Sequence, residues 1–341
     1  MGKPISIPPS KLGSLELGRG LAALAVVAHH AGQASDAFTS QHFGRWFGAG
    51  ALGVDFFFVL SGFIIYHVHH RDPRSLNAAQ RFLGKRLRRI YVPYLPIALT
   101  MIAAYTFFPG ISQGNRDWGL FTSLTLLPSG SPPVLSVAWT LVFEMIFYLF
   151  FLVFFFTRHF WWLVSAWVTA TAIFALYGLA DIFNIAPINV ILHPLTLEFV
   201  AGMIAAMLFS RLPPTAWAIP TLLGLGLAVA YYMTSDADRV FFGLALAPLV
   251  LGMALAESHF GYRLPAPALL LGAASYAIYL VHNPLQSLVA RVFRDLDNWV
   301  LTFTTCCLAG MAIGVAYHLL FERPVLKLLS SRSLWRAKNA A

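Results

Sequence analysis

The sequence predicts an all-α, polytopic membrane bundle of about ten transmembrane helices with both termini cytoplasmic. Three observations lead there. Of 341 residues, 58% are hydrophobic and only 11% charged, with a positive mean hydropathy, whereas a soluble domain carries roughly a quarter charged residues. Apolar runs of about the 20 residues needed to cross a hydrocarbon core recur along the whole chain. Lysine and arginine collect in alternate connecting segments, as the positive-inside rule requires.

The spans follow from apolar windows between charged or Pro/Gly-rich breaks. The segment Met1 to Leu17 contains Pro4, Pro8 and Pro9 and no apolar core followed by a small-residue cleavage site, so no cleavable signal is expected and the first span, 15–34, directs insertion. The loop Gln33 to Ala49 leads to span 50–68, and a basic segment to span 88–108. Pro109 to Pro133, with four prolines and several glycines and serines, reads as the external loop best suited to contact an acceptor. Spans 137–156, 160–180, 190–209, 215–234, 240–257, 269–292 and 298–321 follow with short connections. With a cytoplasmic N-terminus the inner segments hold Lys3, Lys11, Arg19, Arg71, Arg74, Arg81, Lys85, Arg86, Arg88, Arg89, Arg158, Arg211, Arg263, Arg323, Lys327, Arg332, Arg336 and Lys338. The outer ones keep Arg45, Arg116, Arg239, Arg291 and Arg294. Nine or eleven spans would break that asymmetry. There is no internal repeat, low-complexity tract or long polar linker, so residues 1–341 form a single membrane domain.

A formal net charge of +9 does not indicate a nucleic-acid partner, because little surface remains outside the bilayer to bind one. Cys306 and Cys307 are adjacent in an apolar run and read as packing residues, not a disulfide framework or a spaced metal site. A Walker loop, a Rossmann fingerprint, a Gly-x-Ser-x-Gly elbow and a His-Glu-x-x-His helix are all missing. Leu60-Ser61-Gly62-Phe63 lacks the elbow context and reads as close helix packing.

Ionisable groups inside spans are the informative ones, since each costs a few kcal/mol to insert and so faces a partner or a wet cavity. Arg19 and His30 are eleven residues apart, which returns to nearly the same helix face with roughly 16 Å of rise between them. His29 points about 100° away. The pair alone leaves open a snorkelling arginine and a histidine bonded to a neighbouring helix. Further groups narrow the choice. Glu144 shares a face with Tyr148 one turn on, and Asp55, Glu198 and His282 lie in other spans. Lys85, Arg86, Arg88 and Arg89, as a helix, make a two-sided cationic end suited to phosphates such as those of coenzyme A.

These residues together resemble the membrane-bound acyltransferase-3 family, whose members O-acylate bacterial surface glycans and related lipids. The resemblance runs over about 300 residues. It includes Arg19-Gly20-Leu21-Ala22-Ala23 with His30, the segment Gly53 to Phe63, and Lys85-Arg86-Leu87-Arg88-Arg89-Ile90, where Lys85 replaces the usual first arginine. Trp139 to Glu144 with Phe147-Tyr148 follows, Met145 standing where many relatives have a second acid. Leu197-Glu198-Phe199, Ser275 to His282 with Tyr276, and Glu322-Arg323-Pro324 complete it.

The resemblance implies a multi-pass protein of the bacterial inner membrane, taking an acyl group, acetyl foremost, from cytosolic acetyl-CoA to a hydroxyl of a cell-surface or lipid-linked glycan. It implies no permanently bound cofactor and no metal. His30 would be catalytic, as general base or transient acyl carrier, with Glu144 orienting the imidazole or binding the acceptor. Arg19, Arg86, Arg89 and Lys85 would bind the donor. Asp55, Tyr148, Glu198, Tyr276 and His282 would line the site. The expected partners are acyl-CoA, the acceptor and membrane lipids; the sequence names no protein partner. Some relatives carry an appended hydrolase-like domain, which is not expected here. Two rivals remain: a glycan or lipid transporter or flippase, which would also use midplane titratable groups, and an acyltransferase for another acyl group such as succinyl.

Overall fold

The computed structural model describes residues 12–108, 117–234 and 239–330. Lys3, Lys11, Arg116, Arg332, Arg336, Lys338 and positions 109–116 of the proline-rich loop lie outside the described residues. The regular secondary structure of the described residues is all helical, with no strand. The long helices are α1 (Gly13–Phe38), α2 (Gly53–His69), α3 (Leu76–Phe107), α4 (Trp139–Leu152), α5 (Phe160–Leu176), α6 (Thr196–Phe209), α7 (Ala218–Met233), α8 (Arg239–Phe260), α9 (Ala266–Phe293) and α10 (Trp299–Tyr317).

Among the described residues, eight helical stretches are long and apolar enough to cross a membrane: Gly44–His69, Leu76–Phe107, Ser136–Phe155, Ala186–Phe209, Pro214–Met233, Arg239–Phe260, Ala266–Leu296 and Trp299–Ser330. α5 is apolar but shorter, at 17 residues. α1 is long enough at 26 residues, but Glu16, Arg19, His29, His30, Gln33 and Asp36 dilute its hydropathy. The chain is thus a multi-pass helical membrane protein in which α1, with titratable groups along its whole length, sits inside the bundle. There α1 packs along α9, α2 and α10, burying Leu15, Ala23, Val26, Val27 and Ala31.

Two elements differ from the sequence reading. α3 begins at Leu76, about three turns before the expected span. Ser75 caps it by accepting from the Ala78 amide at 3.3 Å, and the Arg/Lys-rich turns that follow are good helix formers. The basic cluster is therefore helical. The proline-rich segment, read as an external loop, instead folds back against the middle of α3: Tyr94 donates to the Ser123 carbonyl at 2.7 Å, and Tyr91 bonds the Thr125 carbonyl. Thr122, Ser123, Leu126, Val134 and Leu135 are all buried. Irregular backbone buried in this way needs protein groups to satisfy it. Here Ser123 Oγ accepts from the Val134 amide at 2.8 Å and donates to the Gly119 carbonyl at 2.6 Å.

Close helix contacts depend on glycine. A Cβ on Gly62 of α2 would lie 2.0 Å from the Phe199 carbonyl oxygen of α6, and one on Gly202 of α6 would lie 1.9 Å from that of Val59. The α2–α6 contact is backbone to backbone, as the sequence reading of Leu60 to Phe63 expected.

Candidate active site

Two cavities open off α1. An inner chamber of about 250 Å³ is lined by Glu16, Arg19, Ser61, Arg86, Arg89, Glu144, Tyr148, Tyr276 and Tyr279, among others. An outer groove of about 930 Å³ runs between α1, α3 and α9, from His30, Ser136 and Asn283 to Phe38 and Arg291. α1 is one continuous helix, so the Arg19 and His30 side chains share a face and reach different cavities.

In the chamber the arginines are not equivalent. Arg19 pairs with Glu16 at 3.2 Å. Arg89 pairs with the buried Glu322, which also accepts from His318 Nδ1 at 2.8 Å, and the Arg89 guanidinium lies 5.5 Å from the Tyr276 ring centre. Arg86 has no carboxylate partner among the described residues. Its Nη2 donates to His69 Nε2 at 3.2 Å, its buried Nε is unbonded, and its guanidinium lies over Phe82 and Tyr148. Glu144 accepts from Ser61 Oγ at 3.0 Å and from the Tyr148 hydroxyl. Its bonds go to these two groups, and His30 is not among them.

His30 Nδ1 meets His282 Nε2 at 3.0 Å, and His282 Nδ1 meets the Ile278 carbonyl at 3.1 Å. The His282 ring packs on Tyr279, 5.7 Å between centres, and Tyr279 also lines the chamber. The Tyr279 hydroxyl donates to the Val137 carbonyl at 2.9 Å. A layer made of Tyr279 and the two imidazoles thus stands between chamber and groove. Cations that can hold phosphates lie on one side of it, and an imidazole facing open space lies on the other.

Residues 12–319 match the family model described as "Acyltransferase domain". The chain belongs to the acyltransferase-3 family. Over 300 residues it is 34% identical to the exopolysaccharide production protein ExoZ of Rhizobium meliloti, covering 83% of this chain and 92% of that one. The acyltransferase MdmB of Streptomyces mycarofaciens is 27% identical over 96% of this chain and 95% of its own. The peptidoglycan O-acetyltransferase OatA of Listeria monocytogenes is 29% identical over 38% of this chain and 22% of its own. No solved structure matches. The protein is an acyltransferase of the membrane.

The remaining sequence-named positions of this acyltransferase lie away from the two cavities. Lys85 is exposed, about 100° round α3 from Arg86, and does not line the chamber. Asp55 is buried and bound by Arg239, with Nη2 to Oδ2 at 2.7 Å. Glu198 is buried beside Gly243 with neither carboxyl oxygen hydrogen-bonded. Three groups that the sequence reading did not single out for the site are Ser61, Glu322 and Tyr279. All three lay within family-like motifs, and Ser61 was also read as a packing residue.

Proposed function

We propose that this acyltransferase moves an acyl group, acetyl foremost, from cytosolic acyl-CoA to a hydroxyl of a cell-surface or lipid-linked glycan. It works as a single domain, residues 1–341, with ten spans and both termini cytoplasmic, in a bacterial inner membrane. The observation that supports this most directly is the arrangement on α1: an arginine-lined chamber on one side of the Tyr279 layer, and His30 in an open groove on the other.

The chamber, about 250 Å³, lies below the roughly 300–1,000 Å³ of pockets that enclose a whole drug-sized ligand. It takes the thioester end of the donor. The nucleotide phosphates stay at the basic end of α3, where Arg86 offers the positive charge that no carboxylate of the described residues neutralises, and Lys85 and Arg88 extend the cationic surface. Glu144 serves the donor side, holding the Ser61 and Tyr148 hydroxyls. The acceptor hydroxyl enters the outer groove and meets His30.

As general base, the imidazole takes the hydroxyl proton while the hydroxyl oxygen attacks the thioester carbonyl; the C–S bond breaks and the thiolate takes that proton. As acyl carrier, the imidazole itself attacks the carbonyl and the C–S bond breaks, releasing the thiolate; the acceptor hydroxyl then attacks the acyl-imidazole, the C–N bond breaks, and the hydroxyl proton passes to the thiolate. A trapped acyl-protein distinguishes the two.

The decisive experiment follows labelled acetyl transfer from acetyl-CoA to membrane glycan in vesicles, at matched expression. His30→Ala is expected to lose about 10²–10⁴-fold in rate while still binding acetyl-CoA. His29→Ala, whose ring lies 5.0 Å from that of His30 between centres but does not line the groove, is expected to keep its rate. Full transfer by His30→Ala would remove the central assignment. Failure of the native protein to bind acyl-CoA would revive the transporter reading.

A further inference from the structure

Which nitrogen of His30 carries the hydrogen bears on its chemistry, and two groups outside the groove lining meet that ring: His282 and the backbone carbonyl of Val26. His282 is fully buried in the middle of α9 and is not part of the groove lining. Its Nδ1 lies 3.1 Å from the Ile278 carbonyl oxygen. A carbonyl only accepts, so that nitrogen carries a hydrogen and donates it. In a neutral imidazole the other nitrogen is then a bare lone pair. That lone pair, on Nε2, lies 3.0 Å from His30 Nδ1. Two lone pairs do not bond, so His30 Nδ1 supplies the hydrogen, and its Nε2 is left as the lone pair. A second proton on the pair would reverse this order, but no carboxylate of the described residues bonds to either ring to balance it.

We infer that His282 is a positioning residue which, anchored on the Ile278 carbonyl, holds His30 in the Nδ1–H tautomer and so keeps the Nε2 lone pair free for the acceptor. This rests on the reading of His30 as the catalytic imidazole, and it serves the base and carrier routes alike, since both begin at that lone pair. The anchoring is local: carbonyl acceptor and imidazole are four residues apart on one helix, so the orientation persists whatever occupies the groove. Tyr279 packs on the same ring, and Gly310 of α10 sits where a Cβ would lie only 3.2 Å from the His282 Cβ. The ring therefore has little freedom to turn. Its task parallels the carboxylate of a serine-protease triad, which sets the imidazole tautomer without meeting substrate. Here the acceptor for the imidazole N–H is a second, neutral imidazole, which needs no buried charge.

The test compares His282→Leu and His282→Gln with the native protein. Leucine removes the acceptor for His30 Nδ1–H; glutamine offers a carboxamide oxygen in its place. Three readings are taken: acetyl transfer, KM for acetyl-CoA, and ¹⁵N spectra of histidine-labelled protein, with the His30 signals assigned by their loss in His30→Ala. The expected result is an Nδ1–H ring in the native protein, and at least a tenfold fall in kcat with unchanged KM in the leucine variant, where the Nε2–H form now appears. Glutamine restores both tautomer and rate. Full transfer by His282→Leu, an unchanged His30 tautomer in it, or loss of rate in both variants without a tautomer change would overturn the inference. Should His282→Leu not fold, the native spectrum decides alone, an Nε2–H ring there being the overturning result. An active His30→Ala would instead defeat the reading of His30 itself, leaving the tautomer measurement intact.

Discussion

Three arginines line the chamber, and their partners rank them. Arg19 and Arg89 each sit against a carboxylate, so much of their charge is already used within the protein. Among the described residues Arg86 bonds a histidine nitrogen and no carboxylate, its Nε is unbonded, and two aromatic rings lie against it. A hydrogen bond to a charged group contributes about 1.5–3 kcal/mol, or roughly 10- to 100-fold in binding. Arg86→Gln is therefore expected to raise KM for acetyl-CoA by about that factor, while Lys85→Gln, changed on the exposed face, moves it far less. Equal effects of the two changes would mean that diffuse surface charge, not the chamber, holds the phosphates. The 86/89 spacing showed that two basic residues share a face, but it could not show that Arg89 is neutralised by Glu322, 233 residues away. The His30–His282 contact spans 252 residues in the same way. Intramembrane titratable groups are legible as isolated costs; which of them meet is decided by packing that the local pattern does not encode.

Between helices, the separation of α2 and α6 sets where Ser61 and Asp55 lie. Gly62 and Gly202 form a reciprocal contact in which each would-be Cβ falls about 2 Å from the other helix's carbonyl oxygen. Alanine at either position must push the helices apart, because backbone cannot rotate away as a side chain can. Gly62→Ala and Gly202→Ala are expected to lower the melting temperature in detergent and to reduce transfer together, since Ser61 and its bond to Glu144 ride on α2. Gly226→Ala on α7, with nothing within 4 Å of the added carbon, should be neutral or slightly stabilising through helix propensity. An unaltered melt for Gly62→Ala would show that the two helices tolerate separation. Helix existence was readable because long apolar runs have few alternatives in a membrane. The proline-rich segment was not, because Pro, Gly and Ser signal irregular backbone without saying whether water or protein satisfies it. Tyr91, Tyr94 and Ser123 do so here.

Across the whole molecule, sidedness and chemistry must agree. The chamber end gathers Arg19, Arg81, Lys85, Arg86, Arg88 and Arg89, whereas the opposite end of the described chain keeps Arg45, Arg239, Arg291 and Arg294. If positive charge marks the cytoplasm, the chamber opens where acyl-CoA is made, and His30 faces the side where surface glycans are assembled. The two requirements are independent, since the first comes from insertion and the second from the reaction. Both are tested by cysteine labelling in a background with Cys306 and Cys307 replaced by alanine. A cysteine at exposed Arg88 is expected to react with an impermeant maleimide only after the membrane is opened. One at Trp46, 72% exposed beyond α1, is expected to react in intact cells. The reverse pattern would place the chamber outside, away from any supply of acyl-CoA. Donor and acceptor assignments would then have to change together, because the Tyr279 layer separates the two cavities in either orientation.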